Sequence, residues 1–199
     1  MTLLVRSIAV LLFALALPAA AQFQPQVGQA GKDVIWVPTP DDVVERMLTM
    51  AQVTPQDYVW DLGAGDGKIA IAAAKKFGAR ATGIEYNPDM VKHANANAQA
   101  AGVAGTGKGQ ATIRHGDIFA TDFSQASVIT LYLLPALNLK LRPKLLKMKQ
   151  GTRIVSHDFD MGDWKPDVTL KVGTRMVHFW TVPDRARAAK LAKPEAAVK

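Results

Sequence analysis

Apolar residues recur along this chain in two rhythms, and the switching between them outlines the fold. Val43, Val44, Met47, Leu48 and Ala51 fall at helical spacing behind Thr39, Pro40, Asp41 and Asp42. That pattern predicts an amphipathic helix with Thr39 as N-cap, proline in the first turn and acids at the positive end of the dipole. Thr54-Pro55-Gln56-Asp57 supplies turn chemistry, and the apolar run over 58–62 reads as a first strand. Next come an alanine-rich helix over 69–77 closing on Gly78, a strand over 81–85, and a helix opened by Asn87-Pro88-Asp89 and ended by Gly102. Residues 102–109 read as a mobile glycine-rich loop. Further strands are predicted over 111–115, 126–133 and 153–156, with a helix over 137–148 that Pro143 should kink or split. Gly173-Thr174 separates two last apolar runs, 168–172 and 175–181, as in a hairpin. Five strands linked mainly by helical crossovers, followed by a hairpin, specify an α/β fold: a doubly wound, mostly parallel seven-stranded sheet with an antiparallel terminal hairpin.

Composition adds organisation to that outline. With 199 residues, 49% of them hydrophobic, the chain can bury one core and form one domain. Residues 1–21 stand apart: Arg6 is their one charge, Ile8 to Leu17 is an apolar run, and Pro18-Ala19-Ala20-Ala21 offers small residues for cleavage. This is the pattern of a secretory signal peptide, which predicts export or a periplasmic location; an uncleaved membrane anchor is the alternative. Residues 22–36 then read as an extended linker, 37–182 as the domain and 183–199 as a basic tail. The formal net charge is +7, with basic residues concentrated in the tail and over 140–149. They read either as solvated faces or as contacts with an anionic membrane surface or acidic partner; no nucleic-acid partner is expected. The absence of cysteine excludes disulfides and a thiolate nucleophile, and His93, His115, His157 and His178 are too scattered for a metal centre.

The chemistry concentrates at strand ends. Asp61-x-Gly63-x-Gly65-x-Gly67 follows the first strand, Glu85 ends the second and Asp117 follows the third. Ligands of doubly wound sheets bind at these carboxyl ends, where a carboxylate after the second strand can accept two hydrogen bonds from a ribose diol. Dinucleotide turns of the G-x-G-x-x-G type would need glycine at position 68, where this chain has Lys68, and no phosphate-binding P-loop occurs. The pattern, with His115-Gly116-Asp117-Ile118, resembles class I, Rossmann-like S-adenosylmethionine-dependent methyltransferases. That resemblance implies S-adenosylmethionine as cofactor. Gly63, Gly65 and Gly67 would line its methionine part, with Asp61 near the amino group; Glu85 would hold the ribose, and Asp117 with Ile118 the adenine.

Val37-Pro38-Thr39-Pro40, Glu85-Tyr86-Asn87-Pro88 and the apolar segment ending at Pro135 are similar to the lysine methyltransferases of the ATP synthase c-subunit. This implies a protein lysine as methyl acceptor. Tyr132-Leu133-Leu134-Pro135 lacks the Asn-Pro-Pro-Tyr motif of enzymes methylating glutamine or adenine. Candidates around the acceptor are Tyr132, Pro135, His157, Asp158 and Trp164, with Tyr132 and His157 the catalytic choices. Two other readings stay open: a non-catalytic module that binds an adenosyl ligand, and a methyltransferase for a small molecule.

Overall fold

The computed structural model describes residues 23–33 and 35–192. The expected signal peptide lies outside them, as does the end of the basic tail. Seven strands are present: β1 (Tyr58–Leu62), β2 (Arg80–Glu85), β3 (Ala111–His115), β4 (Val128–Leu131), β5 (Arg153–His157), β6 (Val168–Val172) and β7 (Arg175–Thr181). They form one sheet in the order β3-β2-β1-β4-β5-β7-β6. The first five are parallel, and β7 runs antiparallel to both β5 and β6. The chain reverses its direction of winding between β1 and β4, so the ends of those strands open the crevice that doubly wound sheets use for ligands.

Alternation along each strand sorts side chains into two cores. On one face Val59, Ala81, Val128 and Val155 pack under α1 (Asp41–Met50), α2 (Lys68–Phe77) and α3 (Pro88–Ala100). On the other, Trp60, Leu62, Ile129 and Ile154 pack under α4 (Pro135–Leu145) and α5 (Arg185–Leu191). The edge strand β3 would expose unpaired backbone, a liability in any sheet. Asn95 of α3 covers part of it: its amide donates to Ile113 O at 2.7 Å and its carbonyl accepts from Ile113 N at 2.9 Å.

Several expectations are corrected. The helix α1 starts after Pro40, which has no side-chain cap; the Thr39 hydroxyl is buried elsewhere, sharing a 3.2 Å hydrogen bond with His157 Nδ1. Asn87 does cap α3, accepting from Asp89 N and Met90 N. Pro143 neither splits nor ends α4. It forfeits one intrahelical hydrogen bond, to the Leu139 carbonyl, and the helix continues only two residues beyond it. The glycine-rich stretch before β3 is a folded turn, with Gln110 Oε1 accepting from Gly107 N and Gly109 N donating to Gly78 O. Part of the basic tail is helix α5, capped by Asp184. The linker is corrected most. Ala30 and Ile35 form an antiparallel bridge, Gly28 N donates to Trp36 O and Trp36 N to Gln29 O, and this strap folds back across the sheet end. Among the described residues no helix is long and apolar enough to cross a membrane.

Candidate active site

A cleft of about 330 Å³ opens at the carboxyl ends of β1, β2 and β4. Asp61, Gly63, Gly65, Glu85, Asp117 and Ile118 all line it, so the structure brings together most of the residues selected from sequence. Glu85 is fixed by two backbone donors: Gly65 N to Oε2 at 3.0 Å and Asn87 N to Oε1 at 2.8 Å. Each oxygen keeps lone-pair capacity for a further donor such as a ribose hydroxyl. The glycine turn and its acid are thereby locked to each other.

The glycines differ in purpose. At Gly65 a Cβ would lie 2.5 Å from Trp36 Nε1, so the turn is bare because the strap's indole lies against it. Gly67 has φ of +80° and does not line the cleft; a Cβ there would meet Ile113 Cδ1 at 3.0 Å and Ala94 Cβ at 3.2 Å. Its expected place at the cofactor gives way to packing of the α2 start against α3 and β3. A fourth glycine escaped notice in the sequence: Gly83 of β2, where a Cβ would be 2.6 Å from Ala64 Cβ.

Asp61 is 2% exposed, and its Oδ1 accepts from Thr130 Oγ1 at 2.7 Å. Burial, opposed by that hydrogen bond and reinforced by Asp66 and Glu85, raises its pKa to about 7. A cationic group in the cleft would restore the carboxylate. Asp117 is held below the usual carboxylate range, first by Lys32 and then by Phe119 N.

The far wall is aromatic and apolar. Tyr132, Leu134, Leu137 and Phe159 line it. The Tyr132 ring stacks on His157 with centroids 3.8 Å apart and lies near-parallel to Phe159 at 6.3 Å. His157 is fully buried behind Tyr132 and does not line the cleft. Burial pushes its pKa down to about 4 and keeps it neutral, while Nε2 stops 3.4 Å from the Asp158 carboxylate without a hydrogen bond. It therefore supports Tyr132 rather than meeting substrate. Trp164 is core: 2% exposed, with its carbonyl accepting from Trp180 Nε1. Pro135 opens α4, and neither it nor Asp158 lines the cleft.

Phe159 reaches the wall because Asp158 has φ of +60°, a left-handed turn uncommon outside glycine, held by Arg175 Nη1 and Met176 N donating to its carboxylate. Asn138, fully buried on α4, pins the same segment: Nδ2 donates to Ser156 Oγ at 3.2 Å, Phe159 O at 3.1 Å and Asp160 O at 3.3 Å. Asn138→Ala would orphan those carbonyls and is expected to cost about 2 kcal/mol in a urea melt.

The profile of the ANTKMT methyltransferase domain matches residues 61–168, from the acid of the glycine turn to the first residue of β6. The chain belongs to the ANTKMT methyltransferase domain family. It is 46% identical over 141 residues to a protein-lysine N-methyltransferase of Saccharolobus islandicus, covering 70% of this chain and 85% of that one. It is 32% identical over 160 residues to the mouse lysine N-methyltransferase of the ATP synthase c-subunit, spanning 80% of this chain and 62% of that protein. Among solved structures, an RNA methyltransferase from Salinibacter ruber in complex with S-adenosyl-L-homocysteine matches with a TM-score of 0.73 and 48% identity. That match covers 82% of this chain and all of the other. The resemblance read from the glycine turn is thus confirmed at the level of family and fold. The strap of this ANTKMT-type domain lies before the matched residues, and Phe159 within them; neither carries a sequence signal of its own.

Proposed function

We propose that this protein transfers a methyl group from S-adenosylmethionine to the side-chain amine of a protein lysine. The observation that carries the donor half is the Glu85 carboxylate, set by two backbone amides beside a bare glycine turn. The acceptor half is supported by the apolar wall and by the named functions of two relatives. Bound S-adenosylmethionine supplies a sulfonium methyl that needs no further activation. The protein's work is then positioning and desolvation. An ammonium entering between Tyr132, Leu134 and Phe159 loses solvation, which lowers its pKa and releases its proton to solvent before attack. Burial raises the Tyr132 pKa, so its hydroxyl stays protonated and offers its oxygen to an amine N–H.

Tyr132→Phe keeps the ring stack and loses that acceptor. It is expected to lower kcat about tenfold with KM little changed, measured by varying the lysine substrate at saturating S-adenosylmethionine. Isothermal titration with S-adenosylmethionine tests donor binding, and labelled donor incubated with cell-envelope protein and with RNA in parallel tests the acceptor. Label on protein lysine is the expected result. Label on RNA would replace the lysine reading, for which the Salinibacter match and the net charge of +7 provide some ground. Binding without labelling of either would favour a non-catalytic adenosyl-binding module.

The apolar run Ile8 to Leu17 supports export to the periplasm or anchoring at its membrane, and exposed Lys140, Lys147 and Lys149 support contact with an anionic surface. A reporter fused after Lys199 and active only outside the cytoplasm tests the export reading.

A further inference from the structure

The strap places a cation where a bound purine would need an acceptor. Lys32 Nζ donates to Asp117 Oδ2 at 2.7 Å and lies 4.7 Å from the centroid of the Tyr86 ring. The other carboxylate oxygen of Asp117 accepts from Phe119 N at 2.8 Å. Lys32, Tyr86, Asp117 and Ile118 all line the same cleft, at the ends of β2 and β3. A purine whose ribose is held by Glu85 would present its exocyclic amine to Asp117 and its face to these side chains. An ammonium engages the same two features, as a donor to the carboxylate and as a cation beside an aromatic ring.

We propose that Lys32 is an affinity-determining residue that competes with the purine for Asp117 and Tyr86, so that an adenosyl ligand binds by exchanging with it. The inference rests on the adenosyl-binding reading above. The exchange leaves the strap in place: Gly28 N donates to Trp36 O at 2.8 Å and Trp36 N to Gln29 O at 2.9 Å, so the strap holds its own shape, and the Trp36 indole against Gly65 keeps it on the domain. Only the lysine side chain has to swing. The Lys32 and Asp117 side chains are 36% and 31% exposed, so the pair is well solvated and gives way readily. A solvated pair of this kind predicts a modest competition, roughly two- to fivefold in affinity.

Lys32→Met keeps the aliphatic stem and removes the charge. Adenosine and S-adenosylhomocysteine both carry the purine and serve as probes, with binding followed by stopped-flow tryptophan fluorescence on the full chain. The variant is expected to bind both ligands roughly two- to fivefold more tightly, with the gain in the association rate and the dissociation rate unchanged. Lys32→Arg retains the ion pair and should behave as wild type. Weaker binding by Lys32→Met would show that Lys32 clamps the ligand, and unchanged binding would show that it is a bystander; either overturns the proposal. If wild type binds neither probe, the adenosyl reading itself fails, a result separate from a wild type that binds and a variant that does not differ.

Discussion

Glu85→Ala is expected to weaken S-adenosylhomocysteine binding by at least about 100-fold, measured by isothermal titration. Three losses combine. The ribose loses its acceptor, and Gly65 N and Asn87 N lose the charge-assisted partner that aligns the glycine turn with the start of α3. Hydrogen bonds to a charged group are worth about 1.5–3 kcal/mol each, and two or more of them account for a change of that size. The conservative replacement sharpens the test. Because both oxygens accept from backbone N–H groups, the NH2 of Glu85→Gln must face one of those donors. The amide variant should therefore fall nearly as far as alanine, whereas a site needing only a polar side chain there would tolerate it. Wild-type affinity in either variant would remove Glu85 from the ligand site.

Asp61→Asn should reverse the usual relation between mutation and stability. The buried carboxyl has its pKa raised from 3.8 to about 7 in the folded chain. Its protonated form is the one that folding favours. Its contribution is therefore whole below pH 3.8, is lost as the pH rises towards about 7, and stays lost above it. The shift corresponds to roughly 4 kcal/mol of strain at pH 8, which a neutral amide relieves while still accepting from Thr130. Urea melts at pH 8 should show the variant more stable by an amount of that order, and melts at pH 4 should show little difference. Binding should move the other way. The wild type should bind S-adenosylhomocysteine more tightly as the pH rises through 7, releasing a proton below that point as the ligand ammonium approaches, and the variant should bind weakly and without that dependence. A variant no more stable than wild type at pH 8 would mean that Asp61 is already ionised at no cost.

The frame of this protein was readable because strands buried on both faces leave continuous apolar runs and glycines punctuate them. The seven-stranded sheet and the strand-end acids followed directly. What escaped reading depends on contacts remote in the chain. A threonine before a proline-led helix looks like a cap, and nothing local tells that Thr39 prefers the His157 ring 118 residues away. Glycines at alternate positions look like one motif, yet Gly65 yields to Trp36 while Gly67 yields to Ile113 and Ala94. The strap has no periodicity because, among the described residues, it pairs with no strand of the sheet and lines the cleft as an irregular run from Gln29 to Trp36, so it resembles a linker. Phe159 owes its place to a left-handed Asp158 and to Asn138 on another element, and its own neighbours in sequence carry no mark of it.

The strap also sets an order of events along the chain. Lys32 meets Asp117 across 85 positions, and Trp36 rests on a turn that exists only once β1 and β2 are paired. Closing so long a loop for a few solvated contacts is entropically costly until the sheet has already drawn the ends together. The segment synthesised before the sheet is therefore the one that settles after it, and Glu85 and Asp117 stand at their strand ends before Lys32 arrives to occupy one of them.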